Sequence, residues 1–131
     1  MLGIDTNVLV RYLVRDDQVQ YEKARRLINR EVSKGQSVMV SLLVLLETER
    51  VLRSWYELAK AEILGAVSAL LDAADIVFED EPSIEHAVHS WKDLGAEFAD
   101  CLIEARNLRL GCTATATFDG KALKLAGFTS V

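Results

Sequence analysis

The chain has 131 residues, of which 50% are hydrophobic and 27% charged, with one proline and a formal net charge of −5. This mixture is typical of a folded globular protein and excludes an intrinsically disordered chain. No stretch approaches the roughly 20 apolar residues of a membrane span, and the N-terminal MLGIDTNVLV lacks the basic start of a signal peptide. We expect a cytoplasmic protein forming a single domain over residues 1–131.

The acidic balance argues against a protein that grips nucleic acid through an extended basic surface. Two other arrangements remain compatible with nucleic-acid binding. The acids could be concentrated in a metal site, where bound cations reverse their local effect, or a basic partner could share the binding. Composition does not choose between them.

The first half of the chain alternates short apolar runs, typical of buried parallel strands, with segments whose apolar residues recur at helical spacing. Residues that suit helix N-caps precede the helical segments, and Gly35 is placed to end one of them. In chain order we predict a strand at 2–5, a helix capped at Thr6-Asn7, a helix over 19–34 capped at Asp16-Asp17, a strand at 37–40 and a helix from Ser41 to Trp55.

The second half continues the alternation. Pro82 suits the first turn of a helix, and Gly95 and Gly111 are placed to end helices. We predict helices over 59–73, 82–94 and 98–110, and strands at 75–78, 113–118 and 128–131. This order of elements predicts an α/β fold with a mostly parallel sheet of four to five strands.

Four acids fall where an open parallel sheet places its chemistry, beyond the carboxyl ends of its strands. Asp5 ends the first predicted strand, and Asp119 directly follows the fourth. Glu47 lies early in the helix after the second strand, in LLVLLETE, and Asp100 begins a helix in EFADCLIEA. Acids in such apolar surroundings are costly to bury alone, but they are tolerated if they share a cation.

The chemistry of phosphodiester hydrolysis explains why several carboxylates would be gathered. Mg²⁺ and Mn²⁺ prefer oxygen ligands. Such an ion can activate water and stabilise charge on phosphoryl oxygens, and two ions can serve the attacking and the leaving oxygen. The acids therefore predict a site for one or two divalent cations.

Each acid also has a plainer interpretation. Asp5 and Asp100 could cap or stabilise the N-termini of helices, and Asp119 could be a turn residue in F-D-G-K. Glu49 lies two residues from Glu47. The apolar neighbours and the helical phase favour Glu47 as the acid that faces inward.

The histidines and cysteines suggest no further metal site. His86 and His89 are predicted to lie on a solvated helix face, with no third ligand nearby. Cys101 and Cys112 do not form a C-x-x-C pair, and we expect small buried thiols in a reducing compartment.

Four blocks in a specific order carry a resemblance that spans nearly the whole chain. They are IDTNVLVRYL, SLLVLLETERVL, FADCLIEARN and TATFDGKALKLAGF. With them the sequence resembles PIN-domain proteins, specifically the toxin component of VapBC-type toxin–antitoxin modules. The resemblance implies a three-layer α/β/α fold and a Mg²⁺- or Mn²⁺-dependent endoribonuclease that cuts structured RNA, often tRNA. It also implies a cognate antitoxin and a homodimer.

The resemblance also assigns roles by position. Asp5 and Asp100 match the principal metal-binding acids of the family, Glu47 the acid of the second block and Asp119 the acid of the last. The polar positions beside the site are matched by Asn7 and Thr117, which we expect to orient acids or a water molecule.

One departure from the family pattern follows Glu47. Related sequences often have a tryptophan three residues after this acid, where this chain has Arg50. One helical turn separates the two side chains, so they could form an ion pair. The change removes no predicted metal ligand, but it could alter the packing or the antitoxin-facing groove.

Two other functions are compatible with parts of the sequence. Asp5-Thr6 would suit a phosphatase with a nucleophilic aspartate at a strand end, although such enzymes carry a second acid where this chain has Asn7. A non-catalytic RNA-binding domain on the same fold is the second alternative. The presence of all four acids argues against it.

Overall fold

The computed structural model describes residues 1–131, which form two compact units, Met1–Glu79 and Asp80–Val131. Each unit is described separately below. None of the helices combines the length and the apolar character needed to cross a membrane.

The first unit contains a three-stranded parallel sheet whose strands pair in chain order, the first with the second and the second with the third. Parallel neighbours need a crossover connection, and helices provide it here. The register pairs Leu2 with Val38, and Val38 with Ile76. The elements are β1 Leu2–Gly3, α1 Thr6–Val14, α2 Gln18–Ser33, β2 Val38–Val40, α3 Leu42–Ser54, α4 Lys60–Asp72 and β3 Ile76–Phe78.

Side-chain caps start three helices of this unit, as the sequence predicts for two of them. Asp17 accepts a hydrogen bond from the Gln20 amide at 3.0 Å, and Ser41 accepts one from the Val44 amide at 3.2 Å. The predicted cap of α1 at Thr6-Asn7 is wrong. Asp5 caps this helix instead, because β1 ends two residues earlier than expected and leaves Asp5 extended.

The core of the first unit lies where the strands meet the inner faces of the helices. Leu9, Val38 and Val40 are fully buried, and Leu45 and Ile63 are almost so. Burying an aliphatic side chain of this size contributes about 1.5–3 kcal/mol. In β2 and β3 the first and third residues are buried and the middle residue is partly buried, which places the three-stranded sheet at the centre of this unit.

The second unit contains a pair of helices and two parallel strands. Trp91 meets Phe98 edge to face, with ring centroids 5.1 Å apart, where the two helices pack together. Gly111 adopts φ +95°, a conformation that favours glycine, just after the second of these helices. The elements are α5 Glu81–Asp93, α6 Phe98–Arg109, β4 Thr115–Thr117, a 3₁₀ turn at Ala122–Lys124 and β5 Phe128–Ser130.

The predicted α/β class with parallel strands is confirmed, and all five strands are present. They form sheets of three and two strands rather than one sheet. The fourth strand is shorter than predicted, because Phe118 belongs to a turn. In this turn the Asp119 amide donates a hydrogen bond to the Thr117 hydroxyl. The prediction of two buried thiols is wrong for Cys112, which is exposed, while Cys101 is buried.

Candidate metal centre

The first unit places two of the predicted acids at one edge of its sheet. Asp5 follows β1 and Glu47 lies on the second turn of α3, the helix that follows β2. Because β1 and β2 are parallel neighbours, their carboxyl ends lie at the same edge. Both side chains are exposed, so both are accessible to a cation or a substrate.

Asp5 combines capping with availability for a cation. Its Oδ1 accepts a hydrogen bond from the Val8 amide at 3.0 Å. A carboxylate has two oxygens, so the cap occupies one of them. The capping interpretation and the metal-binding interpretation are therefore compatible.

Burial along α3 corrects the predicted orientation of its acids. Glu49 is the inward acid, with 3% of its surface exposed, and its Oε2 lies 2.9 Å from Arg53 Nε. Glu47 is exposed. The apolar neighbours of Glu47 misled the prediction because Arg53, one turn after Glu49, neutralises the acid on the buried face. Arg50 is exposed, and the ion pair formed along α3 joins Arg53 to Glu49 rather than Arg50 to Glu47.

Asn7 lies beside Asp5 on the first turn of α1 and is exposed. It lines an open groove of about 300 Å³ between α1 and α2, together with Val8, Ala24 and Leu27. The groove wall is mainly apolar, although Arg11 and Lys23 also reach it. Asn7 thus lies two residues after the strand-end acid and lines this groove.

In the second unit, the charge of Asp119 acts on Asp100. Asp100 is half-buried in the first turn of α6, and Asp119 is exposed just after β4. Burial, then the charge of Asp119 and then that of Glu97, raise the pKa of Asp100 above its usual range. The ionised form of Asp100 is therefore disfavoured in the absence of a cation.

A tight turn presents Asp119 at the end of β4. The Thr117 hydroxyl accepts a hydrogen bond from the Asp119 amide at 2.9 Å, and Asp119 Oδ1 accepts one from the Lys121 amide at 2.9 Å. Thr117 therefore orients the backbone that carries the acid. The intervening Phe118 is 92% exposed, an unusual position for a phenyl ring.

Sequence reasoning missed a second polar layer on α6. Glu104 is 3% exposed and accepts a hydrogen bond from the Gly127 amide, and Asn107 donates one to the Thr115 hydroxyl at 2.9 Å. The spacing of Asp100, Glu104 and Asn107 could have indicated this layer, because residues i, i+4 and i+7 share one helix face.

Four arginines that follow the acidic blocks in the sequence make contacts within the protein. Arg11 pairs with Asp16 at 3.1 Å, and Arg15 lies over the Tyr21 ring at 4.6 Å. Arg106 and Arg109 both contact the buried carboxylate of Asp80, at 2.7 and 2.6 Å. The exposed lysines Lys121 and Lys124 remain the nearest basic residues to Asp119 in the sequence.

The donor chemistry of the acids fits a hard divalent cation. In neither unit do three or more His, Cys, Asp or Glu side chains meet as a ready-made metal site. Within the second unit, burial and the negative charge of Asp119 both raise the pKa of Asp100. Carboxylate oxygens are donors of the kind that Mg²⁺ and Mn²⁺ prefer, and a bound cation would offset the effect of the neighbouring negative charge.

The sequence pattern of the PIN domain family matches residues 3–128 of this chain. The matched segment includes all four predicted acids as well as Asn7 and Thr117. No curated protein matches the chain.

Proposed function

The chain belongs to the PIN domain family, and on this premise we propose that it is a metal-dependent endoribonuclease, the toxin of a VapBC-type toxin–antitoxin module. PIN domains are generally nucleases that act on RNA and use divalent metal ions. The observation that supports the proposal most directly is the interacting pair of carboxylates, Asp100 and Asp119.

The proposed cation is Mg²⁺ or Mn²⁺, held by Asp5, Glu47, Asp100 and Asp119. Such an ion supplies an activated water molecule and charge stabilisation on the phosphoryl oxygens. Of the four acids, Asp100 is the least exposed, so water competes least with a cation for its carboxylate. Asn7 and Thr117 are the proposed orienting residues, and the bond from the Asp119 amide to Thr117 supports this role.

The proposed substrate is tRNA or another structured RNA. Lys121 lies two residues from Asp119 and is exposed, so its ammonium group can pair with a phosphate of the RNA backbone. Cations held by the acids would offset part of the net charge of −5 where the RNA approaches.

The proposed partners are a cognate antitoxin and a second copy of the chain. Large apolar side chains stand exposed on and just after α3, with Leu43 at 78% and Trp55 at 79%. Contiguous apolar patches mark protein–protein contacts, and in the proposed complex both side chains would belong to such a patch. A cytoplasmic location and a single domain over residues 1–131 complete the proposal.

The test is cleavage of end-labelled total tRNA by purified protein freed of antitoxin. We expect discrete fragments with Mg²⁺ or Mn²⁺, none with EDTA, and none from Asp5→Asn or Asp100→Asn. Asp72→Asn, at the exposed end of α4, is the matched control and should cut like the wild type. Mapping the ends of the fragments at nucleotide resolution would identify the target.

Two outcomes would overturn the proposal. A folded wild-type protein that binds tRNA but cuts none under any metal would be an RNA-binding module. A covalent phosphoryl-aspartate at Asp5, trapped with a fluoride analogue, would identify a phosphatase.

A further inference from the structure

The structure assigns a positioning role to Glu104: we propose that it fastens the β4–β5 pair to α6 and so keeps Asp119 beside Asp100. This inference rests on the proposed function, because it concerns the geometry of the proposed metal ligands. All the residues involved belong to the second unit.

One face of α6 carries polar residues that make hydrogen bonds to the strand pair. Asp100, Glu104 and Asn107 follow one another at spacings of four and three residues, which places them on one side of a helix. Only the first is a predicted metal ligand. The other two make hydrogen bonds to the strand pair, one to each strand or its immediate flank.

The hydrogen bonds form a continuous path from α6 to the strands. Glu104 Oε2 accepts from the Gly127 amide at 2.5 Å, and Asn107 Nδ2 donates to Thr115 Oγ1 at 2.9 Å. Gly127 in turn accepts from the Thr115 amide at 2.8 Å. From Thr115 the chain runs through β4 directly into the turn that presents Asp119. The helix that carries Asp100 is thereby tied to the strand that leads into the turn of Asp119.

The close approach at Gly127 leaves no room for another residue. A Cβ atom at this position would lie 2.6 Å from both Cγ and Oε2 of Glu104. Glycine therefore lets the carboxylate reach the backbone amide. The two residues form a matched pair, each fitting the other.

The burial of Glu104 indicates what the contact does. Glu104 also approaches His86, whose Nε2 lies 3.7 Å from Oε1. A carboxylate that is 3% exposed is costly to bury, and an apolar side chain would fill the same space at lower cost. What the carboxylate adds is a directional, charge-assisted bond to a backbone amide. Such a bond fixes the register of β5, and hence of β4, along α6.

The experiment compares three full-length variants with the wild type. Glu104→Ala removes the acceptor, while Glu104→Gln keeps an oxygen that can accept from Gly127. Asp80→Asn is the matched control, since Asp80 is a buried acid that also contacts α6, through Arg106 and Arg109, but not the strands. The readouts are Mn²⁺ affinity by calorimetry, amide exchange at residues 115–119 by NMR, and melting temperature.

We expect Glu104→Ala to weaken Mn²⁺ binding about tenfold, the usual scale for residues that support metal ligands. Amide exchange at 115–119 should become faster in the same variant. Glu104→Gln should stay close to the wild type in both readouts. Asp80→Asn should melt at a lower temperature, with Mn²⁺ affinity and exchange at 115–119 unchanged.

Gly127→Ala provides a second, independent test that does not depend on Glu104→Ala being well folded. In the wild-type background it should weaken Mn²⁺ binding, because the new methyl group displaces Glu104. In the Glu104→Gln background it should do the same. In the Glu104→Ala background, where the methyl group has room, it should add no further loss.

The inference fails if Glu104→Ala binds Mn²⁺ like the wild type with unchanged exchange, or if Asp80→Asn reproduces its effects. A wild-type protein that binds no Mn²⁺ would instead refute the proposed metal site. In that case the exchange of the strand amides alone decides whether Glu104 fastens the strands.

Discussion

At the scale of single residues, Asp100 shows how the proposed site and the stability of the fold oppose each other. Burial and the neighbouring acids raise its pKa. A carboxyl group with a raised folded-state pKa stabilises the fold fully only below its unfolded pKa, about 3.9. This contribution is lost as pH rises through the folded-state value. Near neutral pH the ionised Asp100 therefore destabilises the metal-free protein.

The first prediction is that Asp100→Asn gains stability while it loses activity. The amide carries no charge to desolvate, so the melting temperature in EDTA at pH 7 should rise by about 2–4 °C. RNA cleavage should be abolished. The rise should disappear at pH 3, where the wild-type side chain is protonated. A lower melting temperature at pH 7 would show that the ionised carboxylate is stabilised in the fold.

The second prediction separates the two acids of α3. Glu47→Gln should abolish cleavage and leave the melting temperature unchanged, because the side chain is exposed. Glu49→Gln should retain most of the activity but lose about 1–2 kcal/mol of unfolding free energy, since Glu49 is buried and paired with Arg53. Urea titrations and cleavage rates measure the two effects. Equal losses of activity would remove Glu47 from the proposed site.

The third prediction concerns Phe118, whose ring is 92% exposed beside Asp119. Exposed aromatic rings near a nucleic-acid site stack on unpaired bases, typically with about 1–3 kcal/mol per base. Phe118→Ala in the Asp100→Asn background should weaken binding of a fluorescent single-stranded RNA about tenfold, and Phe118→Tyr should not. Leu123→Ala removes another exposed apolar side chain and is the control. Equal anisotropy curves for Phe118→Ala and its parent would contradict the stacking.

At the scale of elements, most helices and strands could be predicted because each is encoded locally. Asp17 and Ser41 cap helices by bonding to amides three residues ahead, and glycines follow helix ends. Strand lengths were less predictable, since they depend on which backbone groups find a partner. Residue Glu104 escaped prediction for the same reason. Its hydrogen-bond partner is the amide of Gly127, which is 23 positions away in the sequence.

The fourth prediction concerns Asp80, which directly precedes α5 and pairs with Arg106 and Arg109 of α6. Burial alone would raise the pKa of this carboxyl group, but the Ser83 hydroxyl, Arg109 and Arg106 hold it below its usual range. Asp80→Asn should therefore cost about 2 kcal/mol of unfolding free energy at pH 7. Asp93 is exposed at the C-terminal end of α5, so Asp93→Asn should leave the free energy of unfolding almost unchanged.

The effect of Asp80→Asn should depend on pH with a definite sign. A lowered folded-state pKa stabilises above the unfolded value of about 3.9 and is lost as pH falls through the folded-state value. Urea midpoints for the wild type and Asp80→Asn should thus converge below pH 4. A constant difference down to pH 2 would contradict the ionic origin of the effect.

At the scale of the whole molecule, the sequence alone was enough to select four candidate acids. It did not predict how each acid is buried and paired, as Glu49 in place of Glu47 on the inner face of α3 shows. Order and spacing of the four blocks indicated the family, which the match over residues 3–128 confirms. The joint role of the four acids stays a prediction. The influence of the Asp119 charge on the pKa of Asp100 is the part that the structure adds. It could not be read from the chain, because 18 residues, including the rest of α6 and all of β4, lie between them.

The two tryptophans give the molecule an optical asymmetry. Trp55 in the first unit is 79% exposed, whereas Trp91 in the second is 5% exposed against Phe98. Trp55 already meets water in the folded state, so any shift of the emission spectrum during denaturation reports mainly on Trp91. Far-ultraviolet circular dichroism, in contrast, is weighted towards the first unit, which holds four of the six α-helices. Coincident urea midpoints by the two methods are expected for a single domain, and separate midpoints would show that residues 1–79 and 80–131 unfold independently.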